Sequence, residues 1–140
     1  MNGDPKLYET LNQLNISFDY YEHPPAPTIE QAMVYWKDLE ATHCKNLFFR
    51  NHKGNKHYLV ILDHRQQLDI HDLEMRLKQG KISFASENRM QKYLGLTPGS
   101  VSPFGLIHDI DHHVHVFFDQ NLKSSSKISF HPNINTASLV

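Results

Sequence analysis

Lys45-Asn46-Leu47-Phe48-Phe49-Arg50, Asn51-His52-Lys53-Gly54-Asn55-Lys56 and His57-Tyr58-Leu59-Val60-Ile61-Leu62 follow one another without a break. The outer two runs are apolar and strand-like, and the middle one carries the Gly and Asn residues that suit a turn. An antiparallel hairpin is therefore expected here, and the rest of the chain has to be arranged around it.

Upstream, Asp4 is placed to cap a helix that has Pro5 in its first position and Leu7, Tyr8, Leu11 and Leu14 on one face. Ile16 to Glu22 reads as a strand, closed by His23-Pro24-Pro25-Ala26-Pro27, where three prolines deny the backbone helix and ladder hydrogen bonds. Thr28 and Gln31 have capping-box spacing ahead of a second helix lined by Ile29, Ala32, Met33 and Trp36. Downstream, Ile70, Leu73 and Leu77 mark a helix ending near Gly80, and Ile82 to Ala85 a short strand. Ser86 caps a further helix that Gly95 stops. Leu96 to Pro103 is irregular, and strands are expected at Phe104 to Ile107, Val114 to Phe118, Lys127 to Phe130 and Thr136 to Val140. Helices and strands mix without strict alternation. The fold class is thus α+β, a single domain with a mixed, mostly antiparallel central sheet flanked by helices.

The chain has 140 residues, which fits one domain spanning 1–140. Polar and apolar residues still alternate at its end, so a truncated C-terminus is an expectation. Cys44 is the only cysteine, excluding an internal disulfide, and residues 1–8 lack the apolar run of a signal peptide. No apolar stretch is long enough to cross a bilayer, so a soluble, cytoplasmic protein without a membrane partner is expected. A net charge of −1 argues against diffuse coating of nucleic acid but leaves room for a local footprint.

Three patterns carry chemistry: Cys44-Lys45-Asn46-Leu47-Phe48, Gly99-Ser100-Val101-Ser102-Pro103 and Phe130-His131-Pro132-Asn133. In this order, with His23-Pro24, Thr28, Ser83-Phe84-Ala85, Leu94 to Gly99 and Asn133 to Thr136, they resemble the YbaK/ProX family of aminoacyl-tRNA deacylases. That family includes the editing domain inserted in bacterial prolyl-tRNA synthetase, and the chain looks closest to the free-standing prolyl-tRNA deacylases. The resemblance implies the editing-domain fold and hydrolysis of an aminoacyl ester on proline tRNA, alanine first and cysteine or serine as alternatives. It implies no cofactor and no metal; the partners are the acceptor end of aminoacylated tRNA and, transiently, prolyl-tRNA synthetase.

Ester hydrolysis needs an aimed water, donors for the developing oxyanion and a grip on the terminal ribose. Gly99 to Pro103 suits the second need, because Gly tolerates unusual dihedrals and Pro fixes the path. The resemblance implies that its amides orient the ester, with the substrate's own terminal hydroxyl helping to activate water. Lys45 is expected to neutralise phosphate or ribose oxygens, Asn46 to hydrogen-bond the ester or amine, and His131 to position water or contact the tRNA end. Ser100, Val101, Ser102, Pro103 and Ser129 are expected to line the substrate site, with Pro27 and Thr28 from the loop before the second helix. Two positions depart from the family's pattern: Pro27 stands where close relatives often carry a large apolar residue, and Cys44 where Thr is frequent. No spacing signals a Ser-His-Asp grouping, so a covalent acyl-enzyme is not expected.

Rival readings concern the same residues. Cys44 is a nucleophile only if exposed with a lowered pKa, against the plainer reading of a small buried thiol. His108 to His115 supplies several potential metal ligands, with His113 and His115 on one side of a strand, but is also simply a polar turn. A non-catalytic module binding tRNA ends would use the same cleft. Lys53, Lys56, Arg89 and Lys92 are candidate acceptor-stem contacts, each reading first as a solvated charge.

Overall fold

A computed structural model describes residues 1–25, 31, 33–34 and 41–140. In chain order the elements are α1 (Pro5–Gln13), β1 (Tyr20–Glu22), β2 (Thr42–Arg50), β3 (His57–Asp63), α2 (Ile70–Leu77), β4 (Ser83–Phe84), α3 (Glu87–Leu94), β5 (Val114–Phe118), β6 (Ile128–Ser129) and β7 (Ala137–Leu139). Single 3-10 turns occupy Pro103–His108 and Gln120–Ser124.

The expected hairpin is the centre of the molecule. β2 and β3 pair antiparallel from Cys44↔Asp63 to Arg50↔His57. Their turn is held by Asn51, whose buried Oδ1 accepts from the amides of Asn55 and Lys56, both at 3.0 Å, while Gly54 supplies a φ of 71°. The five-stranded sheet runs β4-β2-β3-β5, with β6 also on β2. β4 joins antiparallel, β5 and β6 parallel, so the sheet is mixed; β1 and β7 form a separate antiparallel pair.

Alternation along β2 divides the core into two layers. Cys44 and Phe48 face one layer, with Leu59, Ile61, Leu94, Leu96, Val114 and Phe130. Phe49 and Leu47 face the other, with Tyr58, Val60, Leu62 and the α2 residues Ile70, Leu73 and Leu77. A third cluster, Leu7, Leu11 and Leu139, packs α1 against the β1–β7 pair.

The helix boundaries follow their expected caps. Asp4 accepts from the Lys6 amide at 3.0 Å, and Ser86 from the Arg89 amide at 3.3 Å. Gly95, at φ 66°, ends α3. Where α2 ends, however, Lys78 rather than Gly80 takes the left-handed cap, at φ 54°.

Some expectations are corrected. Phe104 to Ile107 is not a strand: Ser102 Oγ accepts from the Phe104 amide at 2.9 Å, and Pro103 occupies the first turn of a 3-10 helix. Gly105 packs so close to Leu94 and Leu96 that a Cβ would meet Leu96 at 2.7 Å. The strand expected from Ile16 shortens to Tyr20–Glu22, which pairs with Ala137–Leu139. Thr28, Pro27 and most of the expected second helix lie outside the described residues.

His57 is fully buried between the Phe48 and Tyr93 rings. Arg89 can only donate, so its Nη1 gives a hydrogen to His57 Nε2 at 3.0 Å, and His57 Nδ1 then donates to His113 Nε2 at 2.9 Å. Burial first, then His113 and Arg89, push the His57 pKa down to about 4. The folded pKa lies below the unfolded one, so this stability is complete above about pH 6.5 and is lost as pH falls toward 4, by at most about 1.4 kcal/mol per pH unit. Urea unfolding from pH 7 to 4 should show a shallower decline for His57→Phe than for the wild type; equal slopes would contradict the assignment.

Candidate active site

Gly99 to Pro103 forms a built loop. The Ser100 amide donates to Thr97 O at 3.1 Å across a turn with Pro98 and Gly99 at its centre, and Gly99 has a φ of 85°. Pro then Gly with positive φ is the type II arrangement, and a side chain at Gly99 would strain it. Beyond it Ser100 is buried, Val101 packs on the core layer of Phe48, and the Ser102 hydroxyl caps the 3-10 helix headed by Pro103. Two of the loop's polar groups are thereby engaged: the Ser100 amide in the turn and Ser102 Oγ in the cap.

The loop is tied to β2 by Asn46, whose Nδ2 donates to Val101 O at 3.2 Å. The carbonyl fixes the amide's orientation, because only nitrogen can face an acceptor. Asn46 Oδ1 is buried and accepts no hydrogen bond among the described residues. A buried acceptor of this kind calls for a donor.

Lys45 and Asn46 are consecutive in an extended strand and so project to opposite faces. Asn46 shares the face of Phe48 and the loop; Lys45 shares that of Leu47 and Phe49. They nevertheless border one edge. β3 takes one side of β2, and on the other β6 pairs only with Thr42 and His43, and β4 only with Phe49 and Arg50. Among the described residues no strand pairs with that side at residues 44–47.

Histidines gather beside Lys45. His43 lies two residues earlier on the same face, its ring centroid 6.4 Å from that of His64. Burial lowers the His64 pKa, with Arg65 and Lys45 adding to the effect and Asp63 opposing it. Ser129 pairs with His43 in register, and its buried Oγ makes no hydrogen bond among the described residues. His131 follows: its Nδ1 donates to Ala137 O at 2.8 Å, and its ring lies 5.8 Å from that of His23. Burial, opposed by that carbonyl and reinforced by His23, lowers the His131 pKa. Its neutral form keeps an acceptor nitrogen at Nε2. Gly99, Ser100, Val101, Ser102, Pro103 and Asn46 therefore belong to one linked group, Ser129 adjoins His43, and His131 is held apart from both by Ala137 O and beside His23.

The rival chemistries fare differently. Cys44 is 5% exposed, and burial, aided by Asp63, pushes its thiol up to about 12, so a thiolate nucleophile is unavailable at neutral pH. The His108–His115 segment is engaged in structure. His108 Nε2 bonds Asp4 Oδ2 at 2.7 Å, Asp109 accepts from the amides of His113 and Val114, and His113 meets His57. An apolar groove of about 520 Å³ lies elsewhere, between Leu11, Ile16, Phe18, Phe104, Phe130 and Leu139, and none of the sequence-predicted site residues lines it.

Comparison with known proteins assigns the family. The sequence profile of the aminoacyl-tRNA editing domain matches residues 23–140. The chain belongs to that family. An editing domain of this family is an enzyme, an aminoacyl-tRNA deacylase. The chain is 42% identical to the prolyl-tRNA editing protein ProX of Acetoanaerobium sticklandii, over 100% of this chain and 85% of that protein. It is 31% identical to the prolyl-tRNA synthetase associated domain-containing protein 1 of Mus musculus, over 96% and 81%. Two solved structures share the fold: hypothetical protein APE2540 (TM-score 0.77, 20% identity, 96% and 86% covered) and a candidate trans-editing enzyme for prolyl-tRNA synthetase (TM-score 0.72, 19% identity, 99% and 87% covered).

Within this editing domain, sequence reasoning missed His23, His43 and His64. His43 had a signal, since a residue two before Lys45 in a strand shares its face. His23 entered only through the His23-Pro24 pair of the resemblance, without a site role, and His64 had no signal.

Asn46 supplies a test of the loop's attachment. Asn46→Ala loses one hydrogen bond, about 1 kcal/mol, whereas Asn46→Asp sets an acceptor against Val101 O and should cost about 2–3 kcal/mol. Urea unfolding at pH 7 distinguishes them; an Asp variant as stable as the Ala variant would contradict the bond.

Proposed function

We propose that the chain, as one domain over residues 1–140, is a trans-editing hydrolase that deacylates mischarged proline tRNA, with alanine as the amino acid removed. The observation that carries this reading is the open side of β2 at residues 44–47, bordered by Lys45 from one face and by Asn46 with its bond to Val101 from the other. The 42% identity to a prolyl-tRNA editing protein over the whole chain supports proline tRNA as the carrier.

In this reading the aminoacyl ester lies along that open side. Asn46 Oδ1, buried and lacking a donor among the described residues, accepts from the substrate's ammonium group. The amides of Gly99 and Val101 face the developing oxyanion, the Ser100 amide being held by its turn. Lys45 neutralises phosphate or ribose oxygens of the terminal adenosine. His131 positions the attacking water or contacts the tRNA end, with Ser129 two residues before it in the chain. The ribose hydroxyl next to the ester assists the water, and no covalent intermediate forms.

Alanine is smaller than proline, and a synthetase pocket rejects a smaller apolar substrate by only about 1–3 kcal/mol, so a second, smaller site that admits alanine and excludes proline completes the discrimination. The reaction then belongs to the cytoplasm, with transient contact to prolyl-tRNA synthetase. Among the described residues no helix is long and apolar enough to cross a membrane.

Ester hydrolysis measured on proline tRNA charged with alanine, cysteine, serine or proline should release alanine fastest and spare proline. Lys45→Ala should lower kcat/KM at least about 100-fold, or about 2.7 kcal/mol of transition-state stabilisation. Faster release of cysteine or serine would move the substrate assignment. Binding without ester loss by folded protein would make the chain a recognition module instead.

A further inference from the structure

Half a strand away from the open side of β2, cationic side chains converge without ion-pairing to a carboxylate among the described residues. A Cβ built at Gly54 in the β2–β3 turn would meet Arg50 Nη2 at 2.6 Å and Arg89 Nη2 at 2.9 Å, so two guanidinium groups crowd one point. Carbonyls rather than acids hold both in place. Arg50 donates to the carbonyls of Asn51 and His52 at 3.2 Å each, and Arg89 to the Gly54 carbonyl at 2.9 Å. Lys92 follows Arg89 by one helical turn on α3, and Lys53 and Lys56 flank Gly54 in the turn. None of these five cations makes a salt bridge among the described residues, and positions 41–62 contain no Asp or Glu. On a chain of net charge −1 such a concentration is local.

Like charges held together by backbone carbonyls repel one another, and an anion arriving there relieves the repulsion while gaining several charge-assisted hydrogen bonds. Arg50 lies on the face of β2 shared by Phe48 and Asn46, and α3 packs on that face. Asn46 and Arg50 are four residues apart, about 13 Å at about 3.3 Å per residue. A stacked nucleic-acid strand carries a phosphate roughly every 3.4 Å, so that span corresponds to about four nucleotides. The fields of Arg89, Arg50 and Lys92 also reach the His57 imidazole, adding, after burial and His113, to the depression of its pKa.

We propose that Arg50, Lys53, Lys56, Arg89 and Lys92 form a phosphate-binding patch that receives the tRNA backbone where the unpaired 3′ end joins the acceptor stem. The proposal rests on the deacylase reading for its register with the open side of β2, but not for the binding itself. The patch holds phosphates and reads no bases, so it sets affinity for tRNA rather than choice of amino acid.

The test uses uncharged proline tRNA and fluorescence anisotropy across a salt series, with deacylation kinetics in parallel. Lys53→Gln combined with Lys92→Gln changes two exposed side chains. It should weaken binding about tenfold at low salt, reduce the slope of log K against log salt by about 1.5, and raise KM for charged tRNA with kcat unchanged. Arg50→Gln combined with Arg89→Gln should do more, its folding checked by urea unfolding, with the lysine pair deciding if it does not fold. Wild-type affinity and salt slope in the lysine variant would overturn the patch, as would wild-type protein that binds no tRNA. If wild-type protein cleaves no charged tRNA yet binds tRNA through these lysines, the deacylase reading fails and the patch stands.

Discussion

Backbone hydrogen bonding along β2 sets the conditions for everything else in the molecule. A buried strand must satisfy amides and carbonyls on both sides, and β3 does so along one side from Cys44 to Arg50. On the other side the partners among the described residues are two-residue strands, β6 at the start and β4 at the end, which leave an interval between them. Lys45 and Asn46 fall in that interval, one projecting to each face. The same strand carries Cys44 and Phe48 into one core layer and Phe49 into the other, so packing and chemistry share nine residues.

Around this strand the polar groups divide by task. Asp4 caps α1, accepts from His108, and lies 3.4 Å from Asn133 Nδ2, joining the N-terminal helix to the 3-10 turn and the segment after β6. Burial works against its carboxylate, yet these hydrogen bonds outweigh it and hold its pKa below the ordinary value. Buried His57 and half-buried His113 form a pair anchored by Arg89. Asn46 Oδ1, by contrast, is a buried acceptor with no donor among the described residues, and burial lowers the pKa of His131.

Much of this was legible in the residues. The hairpin followed from two apolar runs around Gly54 and the caps from Asp4, Ser86 and Gly95, because each is a local effect spanning a few residues. The 3-10 turn was misread as a strand because the apolar run Phe104 to Ile107 outweighed the capping signal of Ser102 and Pro103. The opposite projection of Lys45 and Asn46 is a consequence of strand alternation alone. What the sequence could not convey is distance across the chain. Asn46 meets Val101 fifty-five positions on, and His57 meets His113 fifty-six positions on; no periodicity encodes either pairing. The Arg50–Arg89 convergence was hidden for the same reason, since it depends on α3 returning over the β2–β3 turn.

The most direct test of the account is to map, by amide chemical shifts, where a non-hydrolysable alanyl-adenosine amide binds. The account predicts shifts at Lys45, Asn46, Gly99, Val101 and His131, with the groove between Leu11, Phe18 and Leu139 unmoved. Shifts confined to that groove, with the β2 interval and the Gly99 to Pro103 loop silent, would contradict it.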